Sequence, residues 1–272
     1  MDEQNQTYYD PMAEQETIEA PKKKGKSGVL IVVLIIVVLV LVCLCGCVLP
    51  IVFYLIAQKT LSNNNNGNPY YGNPYYGPVE EKPVIYLYPQ EEVQVQVKLS
   101  EPDLLLADYP SYETENGWEV TASPDGTLTD DSGRTYYSLY YESGRKTEVP
   151  SWKDAENGFV VKSEDTAAFL EEKLEILGLN EREAEEMIIY WLPTLQQGDY
   201  HFIRFETAEE IEANQSLEIS PAPDTVIRVM MTMEELTPAE AKTAKETVSE
   251  QVLEPVEREG FTVVEWGGAL VH

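Results

Sequence analysis

In Tyr136-Tyr137-Ser138-Leu139-Tyr140-Tyr141-Glu142, phenol rings and a carboxylate recur at intervals that strand geometry sorts into two faces. Tyr137, Leu139 and Tyr141 fall on one face, and Tyr136, Ser138, Tyr140 and Glu142 on the other. On an open face, Tyr136, Tyr140 and Glu142 make a candidate binding platform: rings to stack on a sugar or peptide, and an acceptor beside them. Under a cover of helices the same rings are merely core. The second place for chemistry is Glu265, on a largely apolar stretch where it shares a strand face with Phe261 and Val263, unless Val264 and Trp266 make the core face. A buried acid must find a partner or take up a proton. Arg204 and Arg228, each set inside an apolar strand, are the candidate partners. A structural ion pair is preferred to a catalytic acid, because ion-pair networks perturb titration without catalysing anything.

Other chemistries lack their residues. The histidines are His201 and His272, and all three cysteines sit at positions 43, 45 and 47. A nucleophile–base pair or a structural zinc site needs more than this, so neither metal nor cofactor is expected. There is no Gly-x-Ser-x-Gly elbow and no phosphate-binding glycine loop. His201 shares its strand face with Ile203 and Phe205 and reads as a core histidine. Asp125 to Asp131 lacks the spacing of a calcium loop and reads as hairpin turns.

The elements that position these residues follow from periodicity. Val93, Val95, Val97 and Leu99 alternate with polar residues in a half-buried strand. Turn signals at Pro124-Asp125-Gly126 and Asp130-Asp131-Ser132-Gly133 set off strands at 127–129 and 135–142. After Ser163, taken as an N-cap, Ala167, Leu170, Leu174 and Leu177 adopt helical spacing, and Gly178 stops the helix. Asn180 with Glu183 opens a second helix that Pro193 ends. Strands return at 200–206, 217–220, 225–233 and 261–266, and the Ala/Glu/Lys-rich segment 238–252 is a further helix or an insertion. The expectation is an α+β fold: one mostly antiparallel sheet with a helical hairpin insertion, preceded by one transmembrane helix.

That helix is read from Val29 to Ala57, an uncharged run of 29 residues, against about 20 needed to cross a bilayer. Lys22, Lys23, Lys24 and Lys26 crowd its N-terminal side and Lys59 stands alone on the other, which keeps the N-terminus cytoplasmic. The cysteines then ride inside the anchor. Leu44-Cys45-Gly46-Cys47 has the look of a lipid-attachment box, but 28 residues precede the run and apolar residues follow Cys47, both unlike a processed lipoprotein. The organisation is a cytoplasmic tail (1–28), a membrane span (29–57), an Asn/Gly/Pro/Tyr-rich linker (58–81) and an extracytoplasmic domain (82–272). Residues 1–28 carry six acids and four lysines and Lys59 adds a cation, so −28 of the chain's −29 falls on residues 60–272. Such a surface repels nucleic acid; the expected partners are the membrane, through 29–57, and cell-wall glycan or a basic protein outside.

Three strings carry a resemblance: Lys82-Pro83-Val84-Ile85-Tyr86-Leu87-Tyr88-Pro89, the stretch Trp118 to Leu128, and Gly260-Phe261-Thr262-Val263-Val264-Glu265-Trp266-Gly267-Gly268. They resemble an uncharacterised family of secreted or membrane-anchored proteins, mostly from Gram-positive bacteria. The resemblance spans residues 82–268 and implies one domain in a bacterial envelope setting. It carries no activity. The expected function is a non-catalytic binding or structural module of the envelope; the alternative is a hydrolase of envelope glycan that works through paired carboxylates.

Overall fold

The structure, a computed structural model, describes residues 79–271. The tail 1–28, the run 29–57 and the linker up to residue 78 lie outside the described residues. Among the described residues no helix is long and apolar enough to cross a membrane.

Twelve strands and four α-helices follow one another along the described chain. The strands before the helices are β1 (Val79–Tyr88), β2 (Val93–Leu99), β3 (Leu105–Tyr109), β4 (Trp118–Ala122), β5 (Leu128–Thr129), β6 (Thr135–Tyr136), β7 (Leu139–Gly144) and β8 (Phe159–Lys162). Then come α1 (Thr166–Ile176), α2 (Glu181–Leu195), β9 (Tyr200–Phe205), α3 (Ala208–Asn214), β10 (Leu217–Ser220), β11 (Thr225–Leu236), α4 (Pro238–Thr247) and β12 (Thr262–Leu270).

The expected single sheet with one helical hairpin is wrong. The strands form two sheets, one of seven in the order β3-β7-β1-β12-β11-β9-β8 and one of five in the order β10-β2-β4-β5-β6. The larger sheet is mixed, because β11 and β12 run parallel, from Thr225 beside Thr262 to Met233 beside Leu270. A parallel neighbour needs a crossover long enough to carry the chain back. α4 and the stretch after it provide that length, so the segment 238–252 is part of the fold's connection. The strand expected over 135–142 is also divided: β6 lies in the small sheet and β7 in the large one.

Both faces of the seven-stranded sheet are covered. On one face α1 and α2 press Leu170, Leu174, Met187 and Trp191 against Tyr86, Ile203, Met231 and Trp266. On the other, the five-stranded sheet packs Val95, Val97, Trp118 and Leu128 against Ile85, Leu87, Tyr141 and Val263. α4 covers the far end of that second face through Ala241 and Ala244, against Phe202 and Leu236. Burying apolar surface on both sides is worth about 25 cal/mol per Å² and explains why the central strands show no wet face.

Local sequence sets the helix ends. Gly178, at φ +87°, ends α1, with Gly178 N–H donating to Glu175 O and Leu179 N–H to Leu174 O, both at 3.0 Å. Asn180 and Glu183 exchange side-chain-to-backbone hydrogen bonds at the start of α2. Ser163 does not cap α1. It opens a single 3-10 turn, and its hydroxyl donates to Gln197 O at 3.2 Å. Pro193 lies inside the last turn of α2, which runs on to Leu195.

Candidate functional site

The site begins with a proline in a central strand. Pro83 has no N–H to give to a ladder, so β1 cannot pair continuously on both sides. Its register against β12 shifts between Glu81 and Val84, and its register against β7 shifts between Glu80 and Val84. Lys82, at the bulge, takes φ +53°. Gly267 of β12 lets the proline approach, since a Cβ there would stand 3.1 Å from Pro83 Cα.

Beside this bulge the chain crosses from β6 to β7 through Tyr137 and Ser138, and a cleft of about 520 Å³ opens there, walled by both of these strands, by β1 and by α2. That volume is in the range of small-ligand sites. Tyr136, Tyr140 and Glu142 all line it. They arrive from two sheets rather than as one strand face. Tyr137 also lines it and is exposed, while Leu139 and Tyr141 are fully buried. α2 supplies Glu186 and Tyr190, four residues apart and therefore on one helix face, and Tyr109 and Lys82 complete the wall.

Phenols and carboxylates are matched around this cleft. Tyr140 OH donates to Glu142 Oε1 at 2.7 Å, and Tyr86 OH donates to Glu186 Oε2 at 2.6 Å. Tyr190 OH donates to Glu81 Oε2 at 3.3 Å. Burial first, and then the neighbouring carboxylates, hold the Tyr86, Tyr140 and Tyr190 phenols above the ordinary tyrosine range, so they remain donors. Burial also raises the Glu81 carboxyl, Glu142 raises it further, and the Tyr190 hydroxyl opposes both. At the rim, Arg182 pairs with Glu186 (Nε to Oε1, 3.0 Å) and lies 4.9 Å from the Tyr137 ring centre. Tyr109 and Tyr136 meet edge to face with centroids 5.7 Å apart, and Asp130 accepts from Tyr136 OH at 2.9 Å.

Comparisons with known proteins add little to this geometry. No family model matches the chain, and no solved structure matches it. Over 62 residues it is 42% identical to an uncharacterized protein in bglA 3'region of Butyrivibrio fibrisolvens. The matched stretch is 22% of this chain and 64% of that relative, so the chain spans less than two thirds of the relative's length. The likeness transfers no ligand and no reaction.

Glu265 is fully buried, on the same face as Val263 and opposite Val264 and Trp266, and both faces are core. Arg228 Nε donates to its Oε2 at 2.5 Å and Tyr141 OH to its Oε1 at 2.8 Å. Burial works against the charge on Arg228, but Glu265 and its neighbours outweigh this and hold the guanidinium above its ordinary range. Arg204 stands apart, with one nitrogen donating to both carboxylate oxygens of Glu210 on α3 at 2.8 and 2.7 Å. A further pair that the sequence did not single out, Arg145 with Glu206, is bidentate and buried. Both carboxylate oxygens of Glu265 are thus occupied inside the protein, away from the residues that line the cleft, while Arg228 Nη2 is buried without a hydrogen-bond partner among the described residues. His201 is buried, 3.3 Å from Ser163 Oγ through Nδ1. Among the described residues no cluster of His, Cys, Asp and Glu has the arrangement of a metal site.

Sequence reading missed Lys82, Glu186 and Tyr190. Glu186 and Tyr190 are separated from Tyr140 by the whole of β8 and α1, and no local spacing links them. Lys82 carried a signal in its neighbour: a proline at position 83, in a strand otherwise apolar from Val84 to Leu87, marks a break in pairing.

Proposed function

We propose that this chain is a binding module of the bacterial envelope, anchored through residues 29–57 with residues 1–28 in the cytoplasm, whose cleft takes cell-wall glycan. The observation that carries the reading is the convergence of Tyr136, Tyr140 and Glu142 with Tyr190 and Glu186 on one concave site. Sugar rings present an apolar face bordered by hydroxyls. Tyrosine rings match the face, and carboxylates that already accept one hydrogen bond keep lone pairs for the hydroxyls. The surplus of acid over base in residues 60–272 fits a neutral or locally matched ligand better than a polyanion.

The hydrolase reading has one observation of its own. Glu81 is buried beside Glu142 and has a raised pKa, the pattern of a general acid next to a second carboxylate. Binding is preferred because Glu81 is only 4% exposed and accepts from Tyr190, which leaves it little access to a substrate. Full-length protein in detergent, incubated with purified cell-wall glycan, tests both readings. The binding reading expects retention that Tyr140→Ala weakens at least tenfold, with no new reducing ends. Release of fragments that stops in Glu81→Gln would replace it with the hydrolase.

A further inference from the structure

Lys82 is the group in the cleft that the backbone bends furthest to present. It has the one positive φ outside glycine among the described residues, in the left-handed region that side chains avoid and that recurs at functional sites. Its ammonium lies 4.8 Å from the centre of the Tyr190 ring and 5.9 Å from that of Trp266. Glu142 and Glu186 line the same cleft, yet among the described residues no carboxylate forms an ion pair with Lys82. Each nearby carboxylate is instead engaged elsewhere: Glu186 with Tyr86 and Arg182, Glu142 with Tyr140, Glu81 with Tyr190. The cation is held against aromatic faces, with no carboxylate paired to it among the described residues.

We propose that Lys82 is the specificity-determining cation of the cleft, and that the glycan unit bound there carries a carboxylate that pairs with it. This rests on the glycan-binding reading above and names the class of sugar. A ring stacked on the tyrosines of the cleft brings its substituents within reach of the Lys82 ammonium, where a carboxylate supplies the negative charge that no described residue provides. A phosphate would bring a second negative charge toward Glu142 and Glu186. An ammonium ligand would have to displace Lys82 from the Tyr190 and Trp266 rings. A carboxylate-bearing sugar fits all three constraints.

The test is calorimetric, on full-length protein in detergent micelles, with two disaccharides that differ by one acid. One is N-acetylglucosaminyl-N-acetylmuramic acid, which bears a lactyl carboxylate; the other is N,N'-diacetylchitobiose, which does not. The acidic disaccharide should bind at least about tenfold tighter, equivalent to about 1.4 kcal/mol. Lys82→Gln should abolish that preference, Lys82→Arg should keep most of it, and high salt should shrink it in the wild type. Equal affinity of the wild type for both sugars, or a preference that survives in Lys82→Gln, overturns the role of Lys82 while leaving a glycan site. Failure of the wild type to bind either sugar removes the glycan reading itself. Should Lys82→Gln not fold, the wild-type comparison and its salt dependence decide the matter alone.

Discussion

Arg228 and Glu265 face each other across the parallel ladder of β11 and β12, Nε to Oε2 at 2.5 Å, with the carboxylate fully buried. Tyr141 occupies the second carboxylate oxygen, and Glu212 of α3 takes Arg228 Nη1 at 2.9 Å. Removing one member of a buried pair costs roughly 3–5 kcal/mol, because the other charge is stranded. Glu265→Gln should fall at the lower end, since Glu212 still holds Arg228. Chemical denaturation is the measurement, with Arg228→Met/Glu265→Leu as companion. The double variant should recover part of the loss. A single variant as stable as wild type would remove the pair from the list of what holds the sheet centre together.

Gly268 should be intolerant of any side chain. A Cβ there would lie 2.5 Å from the Met231 carbonyl oxygen and 2.9 Å from Trp191 Cζ2, so β12, β11 and α2 would all have to give way. Overpacking of this kind costs about 1–3 kcal/mol. Gly144→Ala is the control: its nearest neighbours, on Leu104, stand at 3.9 Å or more, and it should be nearly neutral. Equal melting temperatures for the two variants would contradict the close packing of Gly268 against Met231 and Trp191.

His201 should make stability fall in mild acid. Burial lowers its pKa from 6.5 to about 4, so the unfolded chain takes up a proton before the folded one does. Its contribution is complete above about pH 6.5 and is lost as pH falls toward 4, a change of roughly 3 kcal/mol at most. Glu81 acts in the opposite sense, because its raised pKa favours the folded state at low pH. His201→Gln therefore isolates the effect: the stability gap between wild type and variant should narrow from pH 7 to pH 4. Parallel profiles would show that the histidine is not protected from protonation.

The proposed arrangement about the membrane is tested on intact cells. Protease added outside should remove residues 60–272 and spare residues 1–28. All three cysteines lie between residues 43 and 47, so thermal unfolding of residues 79–272 should be unchanged by dithiothreitol. A mature chain beginning at a lipidated Cys47 would replace the uncleaved anchor with a lipid, and a tail cleaved from outside would overturn the orientation.

What was legible in the sequence was local. Gly178, the Asn180–Glu183 box and the strand Leu217–Ser220 each have a short-range signature, and each lies at the corresponding place in the structure. Strands buried on both faces were harder to read. β12 has eight successive buried residues from Thr262 to Ala269, and such runs carry no alternation to reveal a face. The seven-residue α3 was too short for a period to show. Tyr136, Tyr140 and Glu142 were singled out on the premise of one strand, yet they meet because the chain changes sheets between β6 and β7. Their partners Lys82, Glu186 and Tyr190 reach the cleft through tertiary packing, which spacing along the chain does not encode.

The pairing of β1 with β12 sets an order of events for synthesis. Tyr86 lies beside Val264, so the first described strand waits for the last before the middle of the large sheet exists. Until residues 262–270 have been made, β11 lacks its parallel neighbour, Arg228 has no Glu265, and the faces meant for α2 and for the small sheet stay open. Contacts this distant in sequence place folding on the millisecond-to-second scale rather than the microsecond scale. A nascent chain must therefore be kept from aggregating until residues 262–270 have been made. Loss of residues 262–270 would take out the centre of the sheet rather than trim an edge.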